Sequence, residues 1–148
     1  MQEIVLQTNN LTKKYKDFVA LDNATITIHK GDIYGLIGRN GAGKTTLMKT
    51  IITLTNKTGG SFSLFGSEEE LTESKRRIGC LIESPAFFDN LTAYQNLKYY
   101  SIQKGIVDEK QIDKVLKTVD LHKEKNKKFK KFSLGMKQRL GIAFAILD

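Results

Sequence analysis

The chain's 148 residues make one domain's worth of sequence, or one large part of a bigger domain, and a composition of 40% apolar and 27% charged residues excludes a disordered or fibrous polymer. No apolar run approaches the ~18 residues of a membrane helix, so if the protein works at a membrane another chain must span it. The net charge of +8 concentrates in residues 121–131, six Lys against one Glu; this reads as a solvated face rather than a nucleic-acid or anionic-lipid patch, and its single aromatic, Phe129, offers no stacking platform.

The first ten residues, MQEIVLQTNN, lack the basic-then-apolar pattern of a secretory signal and open a short β-like run. ATITIHKGDIYGLIG reads as two strands, 24–28 and 32–37. The first alternates and is expected half-exposed; the second is nearly all apolar, as a buried parallel strand would be. A glycine-rich loop follows, then a helix over about 43–52. Residues 58–66 read as a turn and strand, 68–77 as a polar helix or turn, and 78–84 (IGCLIES) as another buried strand. That strand carries Cys80, the one cysteine, which excludes an internal disulfide and points to a reducing compartment.

From Thr92 onward the pattern is helical, with Leu91, Tyr94, Leu97 and Ile102 roughly on helical spacing. Ile112, Val115, Leu116 and Val119 repeat at i, i+3, i+4 and i+7, with Asp108 as the cap. The last helix is predicted over 134–147. Taken by itself it is an ordinary capped helix, with Ser133 as N-cap and Leu140, Ala143, Phe144 and Leu147 as its apolar stripe.

Gly38-Arg-Asn-Gly-Ala-Gly43-Lys44-Thr45 matches G-x-x-x-x-G-K-[ST] in full. Glycines let the backbone curl until successive N–H groups point at phosphate oxygens. The helix beginning at the loop's end adds a partial positive charge of about half an electron. The binding residues read from this loop are Gly38, Asn40, Gly41, Ala42, Gly43, Lys44, Thr45 and Thr46. Lys44 reaches the β- and γ-phosphates, the Thr45 hydroxyl ligates Mg²⁺, and Thr46 adds a hydroxyl near the α-phosphate. Kinases, GTPases and transport ATPases share this loop, so it does not by itself name a reaction.

FSLGMKQRLGIAFAIL, residues 132–147, resembles the signature segment of ABC-type ATPases, written L-S-G-G-Q followed by Q-R. Ser133, Gly135, Gln138 and Arg139 match, whereas Phe132, Leu134 and Met136 depart. LTKKYKDFVALDNATITI resembles the stretch of that family in which an aromatic stacks on adenine; Tyr15, 23 residues before Gly38, is the candidate. LIESPAFFDNLTAYQNL resembles the loop joining the catalytic core to the helical subdomain, with Glu83 where most members carry a Gln that helps hold Mg²⁺ and the attacking water. The spacing of 90 residues from Gly43 to Ser133 also fits, and the resemblance runs from about Leu6 to Leu147.

The resemblance implies an α/β P-loop NTPase of the ABC type, with an N-terminal antiparallel β part and a helical subdomain. Residues 1–84 would form a β-rich nucleotide-binding core, 85–135 a helical subdomain, and 136–148 the start of the return to the core. It implies ATP and Mg²⁺ as ligands, catalytic roles for Lys44 and Glu83, and Thr45 and Glu83 as metal ligands. Nucleotides would lie between two subunits, so that Ser133 and Gly135 face the γ-phosphate held by a partner's loop. The partners implied are a second ATP-binding subunit and a membrane-spanning permease, with no nucleic acid, on the cytoplasmic face of the cell membrane. Glu83 together with the SLGMKQRL signature most resembles exporters of peptide antibiotics of the bacitracin and lantibiotic kind. The alternatives are a soluble ABC-type ATPase acting in translation or DNA repair, and a nucleotide-binding regulatory module without turnover.

In this family an apolar strand ending in Asp-Glu supplies the hydrolytic carboxylate, and a later His reads the γ-phosphate. Neither is present in matching context. Asp148 lies too soon after the signature to be that Asp, and His29 and His122 read as surface histidines. The chain is therefore expected to be truncated before the Asp-Glu strand and inactive as it stands. The 32–37 strand is expected to keep an unpaired edge flanked by exposed apolar side chains.

Overall fold

A computed structural model describes residues 2–68, 71–82, 87–105 and 108–147. Alternating side chains and a two-residue turn give the hairpin β1 (Ile4–Tyr15) and β2 (Phe18–His29). The turn closes with Tyr15 opposite Phe18, and Lys16 takes φ 51°. β3 (Gly59–Leu64) pairs antiparallel with the other edge of β1, so the sheet order is β2-β1-β3. β1 carries register shifts on both sides. At one of them the buried Thr8 hydroxyl donates to Ala24 O (2.9 Å) and accepts from Ile26 N (2.9 Å), which partners both of these backbone groups where the ladder is interrupted. α1 (Lys44–Ile51) and the short α2 (Leu71–Arg76) accompany this sheet. Leu11, Leu21, Leu47, Phe62 and Leu64 form its core.

The chain divides into two compact units, residues 1–78 and 79–148. In the second, α3 (Ala93–Gln103), α4 (Glu109–Thr118) and α5 (Leu134–Ala145) enclose a core that includes Leu97, Leu116, Leu121, Leu140 and Leu147. Each helix is started by a side chain. Thr92 and Gln95 form a reciprocal capping box on α3, Asp108 accepts from Lys110 N on α4, and Ser133 accepts from Met136 N on α5. Two one-turn 3₁₀ segments, His122–Glu124 and Phe129–Lys131, carry the basic run. Three of its lysines are engaged: Lys125 with Asp113, Lys127 with Glu124 and Lys130 with Asn90. Gly79 packs so closely on α5 that a Cβ there would overlap Ala145 O.

Two expected strands do not form among the described residues; 83 and 84, the end of the second, lie outside them. Residues 32–37 lie outside any ladder, with Ile33 and Ile37 fully exposed and Tyr34 and Leu36 at 51% and 39%. Residues 78–82 are likewise irregular, with Cys80 half-buried and its thiol pKa raised by burial. The apolar composition was a sound signal for a central parallel strand. Such a strand, however, needs a hydrogen-bonding neighbour on each edge and cover on both faces. No described segment supplies these to 32–37. Elsewhere the elements match their expected places: the helix ends and β3 move by up to three residues, the usual latitude of such ends, whereas β2 begins six residues before the expected 24–28 because it pairs with β1 along the whole hairpin.

Candidate functional site

The phosphate loop folds as its glycines require. Gly41 and Gly43 take φ of 83° and 85°, in the left-handed region that residues with a Cβ rarely adopt. Gly43 is also the N-cap of α1, with no side-chain cap, and its carbonyl accepts from Leu47 N (2.8 Å). Ala42 N donates to Arg39 O (3.1 Å), which closes the loop on itself. The amides of Gly41, Gly43, Lys44, Thr45 and Thr46 donate to no backbone acceptor among the described residues. The first turn of α1 holds no carboxylate. Together these leave a run of amides without backbone acceptors at the positive end of a helix, which suits an anion of several oxygens.

Lys44 folds back over this loop. Its ammonium donates to Gly38 O (2.6 Å) and Arg39 O (2.8 Å). Those carbonyls hold the charge beside the amides that an anion would engage. Thr45 is exposed and Thr46 half-buried, and Asn40 and Ala42 are exposed. The Thr45 hydroxyl is a hard oxygen donor with no protein partner among the described residues, a donor that fits Mg²⁺. No cluster of three or more His, Cys, Asp or Glu side chains occurs among the described residues. Mg²⁺ suits such a site because it retains several waters and takes its remaining ligands from phosphate. Glu83, the other expected metal and catalytic group, lies outside the described residues, as does Asp148.

Tyr15 ends β1 at the hairpin turn and is 48% exposed. Its hydroxyl meets Thr55 Oγ1 at 3.3 Å, and Lys13 Nζ lies 4.7 Å from its ring centroid. Sequence reasoning did not single out either neighbour. Lys13 was legible in principle, since it sits two residues before Tyr15 on the same face of a strand, whereas Thr55 is brought there only by the chain's path after α1. β2 ties the ring to the loop. From Phe18, opposite Tyr15, two residues lead to Ala20, whose carbonyl lies 2.5 Å from where a Cβ on Gly43 would sit. At about 3.3 Å per residue the ring end of the hairpin is thus only about 7 Å along the strand from the loop. An aromatic face and an anion cradle share one corner of the first unit.

The signature segment belongs to the second unit. Ser133 Oγ accepts from Met136 N at 3.3 Å, and Ser133, Leu134 and Gly135 are all exposed. A Cβ on Gly135 would meet nothing within 4 Å, so internal packing does not demand glycine there. Arg139 ties α5 to the C-terminal end of α4, where its Nη1 donates to Val119 O, Asp120 O and Asp120 Oδ2 (3.5, 3.2 and 3.3 Å). The expected apolar stripe is real, with Leu140, Ala143 and Leu147 fully buried. The two histidines are half-exposed and each faces a carboxylate at 3.5 Å, His29 with Asp32 and His122 with Asp113.

A family model described as "ABC transporter" matches residues 21–148. The bacitracin transport ATP-binding protein BcrA of Enterococcus faecalis is 46% identical over 99% of this chain and 48% of its own length. The lantibiotic transport ATP-binding protein SrtF of Streptococcus pyogenes is 42% identical over 97% of this chain and 62% of its own. The chain thus spans about half to two thirds of the length of these curated relatives. A solved ATP-binding subunit of an ABC transporter superposes with a TM-score of 0.81 at 28% identity, over 97% of this chain and 62% of the other. A bacterial ABC transporter cassette solved as a dimer gives 0.82 at 28%, over 96% and 69%.

Proposed function

This chain belongs to the ABC transporter family, and on that footing we propose that it is the nucleotide-binding part of an exporter's ATP-binding subunit. Its cargo class is a peptide antibiotic, as the names of BcrA and SrtF suggest by analogy. Working partners are a second ATP-binding subunit and a membrane-spanning permease, at the cytoplasmic face of the cell membrane. The structure contains no helix long and apolar enough to cross a membrane among the described residues. An exposed apolar cluster of Phe88, Tyr99 and Ile102 on and before α3 is suited to such a protein partner.

The observation that carries the nucleotide reading is the pairing of unpaired loop amides with an exposed aromatic at one corner. Gly41, Gly43 and Thr46 amides would bind the phosphate chain, and Lys44 would exchange two carbonyls for β- and γ-phosphate oxygens. Thr45 would hold Mg²⁺, which when bound neutralises phosphate charge and orients the terminal phosphoryl group. Tyr15 would stack on adenine. Ser133 and the Gly135 amide would meet the nucleotide of a second subunit, and Glu83 would act beside the metal.

Equilibrium binding of MgATP to the wild-type chain and to Lys44→Ala tests this reading. Saturable one-to-one binding that falls at least tenfold in the variant is expected. Equal affinities for the two proteins would overturn the site assignment.

A further inference from the structure

α4 carries a basic stripe whose chemistry the nucleotide reading does not use. At about 100° per residue, Lys110, Lys114 and Lys117 fall within about 60° of one another. They lie opposite the buried Ile112, Val115, Leu116 and Val119. All three lysines are exposed, and none has an ion pair within 4 Å among the described residues. The arrangement breaks two local rules. Like charges three and four residues apart destabilise a helix, and Lys110 sits in the first turn, where the helix dipole favours anions. Local rules are broken most often where a surface serves a function.

The flanks narrow down that function. Glu109 and Asp113 lie about 100° and 60° to one side of Lys110. The hydrogen bonds of both carboxylates run away from the stripe. Glu109 takes Lys98 (2.6 Å) and the Tyr94 hydroxyl (3.0 Å), and Asp113 takes Lys125 (2.9 Å). Lys117 also faces Asp113, one turn before it, so the stripe's charge is offset there in part and stands uncancelled at Lys110 and Lys114. The two carboxylates also make the stripe narrow and one-sided. A nucleic-acid groove surrounds a helix with phosphates on both flanks and would press these carboxylates against them. A flat anionic surface meets only the stripe. No exposed aromatic stands on α4 to stack a base.

We propose that the Lys110–Lys114–Lys117 face of α4 docks on a planar anionic surface, the phosphate-bearing headgroups of an acidic lipid bilayer. The inference does not depend on the phosphate loop. Each lysine near such a surface strengthens partitioning roughly fivefold, so three give on the order of a hundredfold.

The test is co-sedimentation of the full 148-residue chain with vesicles. One set is phosphatidylcholine with a quarter phosphatidylglycerol, the other phosphatidylcholine alone, each at low salt and at a salt concentration high enough to screen surface charge. Expected is binding to the acidic vesicles only, lost at high salt, and weakened on the order of a hundredfold in Lys110→Gln/Lys114→Gln/Lys117→Gln. The control Lys123→Gln/Lys128→Gln/Lys131→Gln should retain more of it. Helix content by circular dichroism shows that each variant is folded. Undiminished binding by the α4 triple variant, no binding by wild type, or preference for duplex DNA over acidic vesicles at equal salt overturns the proposal. MgATP affinity measured on the same samples separates the two ideas. Vesicle binding without MgATP binding sinks only the nucleotide reading, and the reverse sinks only this one.

Discussion

Gly43→Ala is the most discriminating single change in the phosphate loop. Two separate penalties meet there. The residue sits at φ 85°, a left-handed conformation that costs an L-residue about 1–2 kcal/mol. The added methyl would also lie 2.5 Å from Ala20 O, a backbone atom that cannot swing away, and 3.5 Å from Leu21 Cδ1. Overpacking against such a neighbour adds about 1–3 kcal/mol, for a total of roughly 2–5 kcal/mol. Gly41 supplies the contrast: its φ is 83°, yet a Cβ there meets nothing within 4 Å, so Gly41→Ala should lose only the conformational part. Thermal melts of the three proteins without nucleotide read the difference. At about 2–4 °C per kcal/mol for a chain of this size, Gly43→Ala should melt several degrees below Gly41→Ala, and Gly41→Ala a few below wild type. Equal midpoints for the two variants would show that β2 does not hold the loop as described, and the link from Tyr15 to the phosphate corner would fail with it.

Tyr15→Ala should weaken MgATP binding by about tenfold, on the scale of roughly 1–3 kcal/mol known for base–aromatic stacking, while Tyr15→Trp retains it; equal losses in a titration of both would assign the ring to packing with Thr55. Asp113 is held below its ordinary value of 3.8, first by the hydrogen bond from Lys125, then by the charges of Lys125, His122 and Lys117. A depressed folded pKa gives stability that is present above the unfolded value and lost as pH falls through the folded one. Melting points of wild type should therefore drop more steeply than those of Asp113→Asn from about pH 4 downward, and parallel curves would contradict this. Ile33 and Ile37 stand bare on an unladdered segment, so sedimentation should show the chain self-associating with concentration, and Ile33→Lys/Ile37→Lys should suppress it. A wild type that stays monomeric throughout refutes that prediction.

How much of this was legible in the sequence follows from the range of the forces involved. Ser133, Asp108 and Thr92 announce helix starts because a cap is a contact between residues two or three apart. The phosphate loop is legible for the same reason: its curl is set by its own glycines. Ile33–Ile37 failed because a buried strand is a property of its neighbours, and apolar letters report only suitability for that role. Thr55 against Tyr15 and Lys44 against the Gly38 and Arg39 carbonyls depend on the path of the chain and on which acceptor is nearest when no phosphate competes. Asn96 is the clearest omission. It reads as one polar residue in a helix, yet it is fully buried and spans Phe88 N and O, Leu91 O and Thr92 O, fixing the turn that precedes α3. Nothing local in the sequence marks it.

The central claim is that the amides around Gly43 hold a nucleotide's phosphates. Amide chemical shifts of the isotope-labelled chain, followed as MgATP is added, test it at the atoms concerned. The largest changes should fall on Gly41, Gly43, Lys44, Thr45 and Thr46, accompanied by the Tyr15 ring, and should be absent in Lys44→Ala. Saturable changes centred elsewhere, or a loop whose amides stay still at saturating MgATP, would contradict the account.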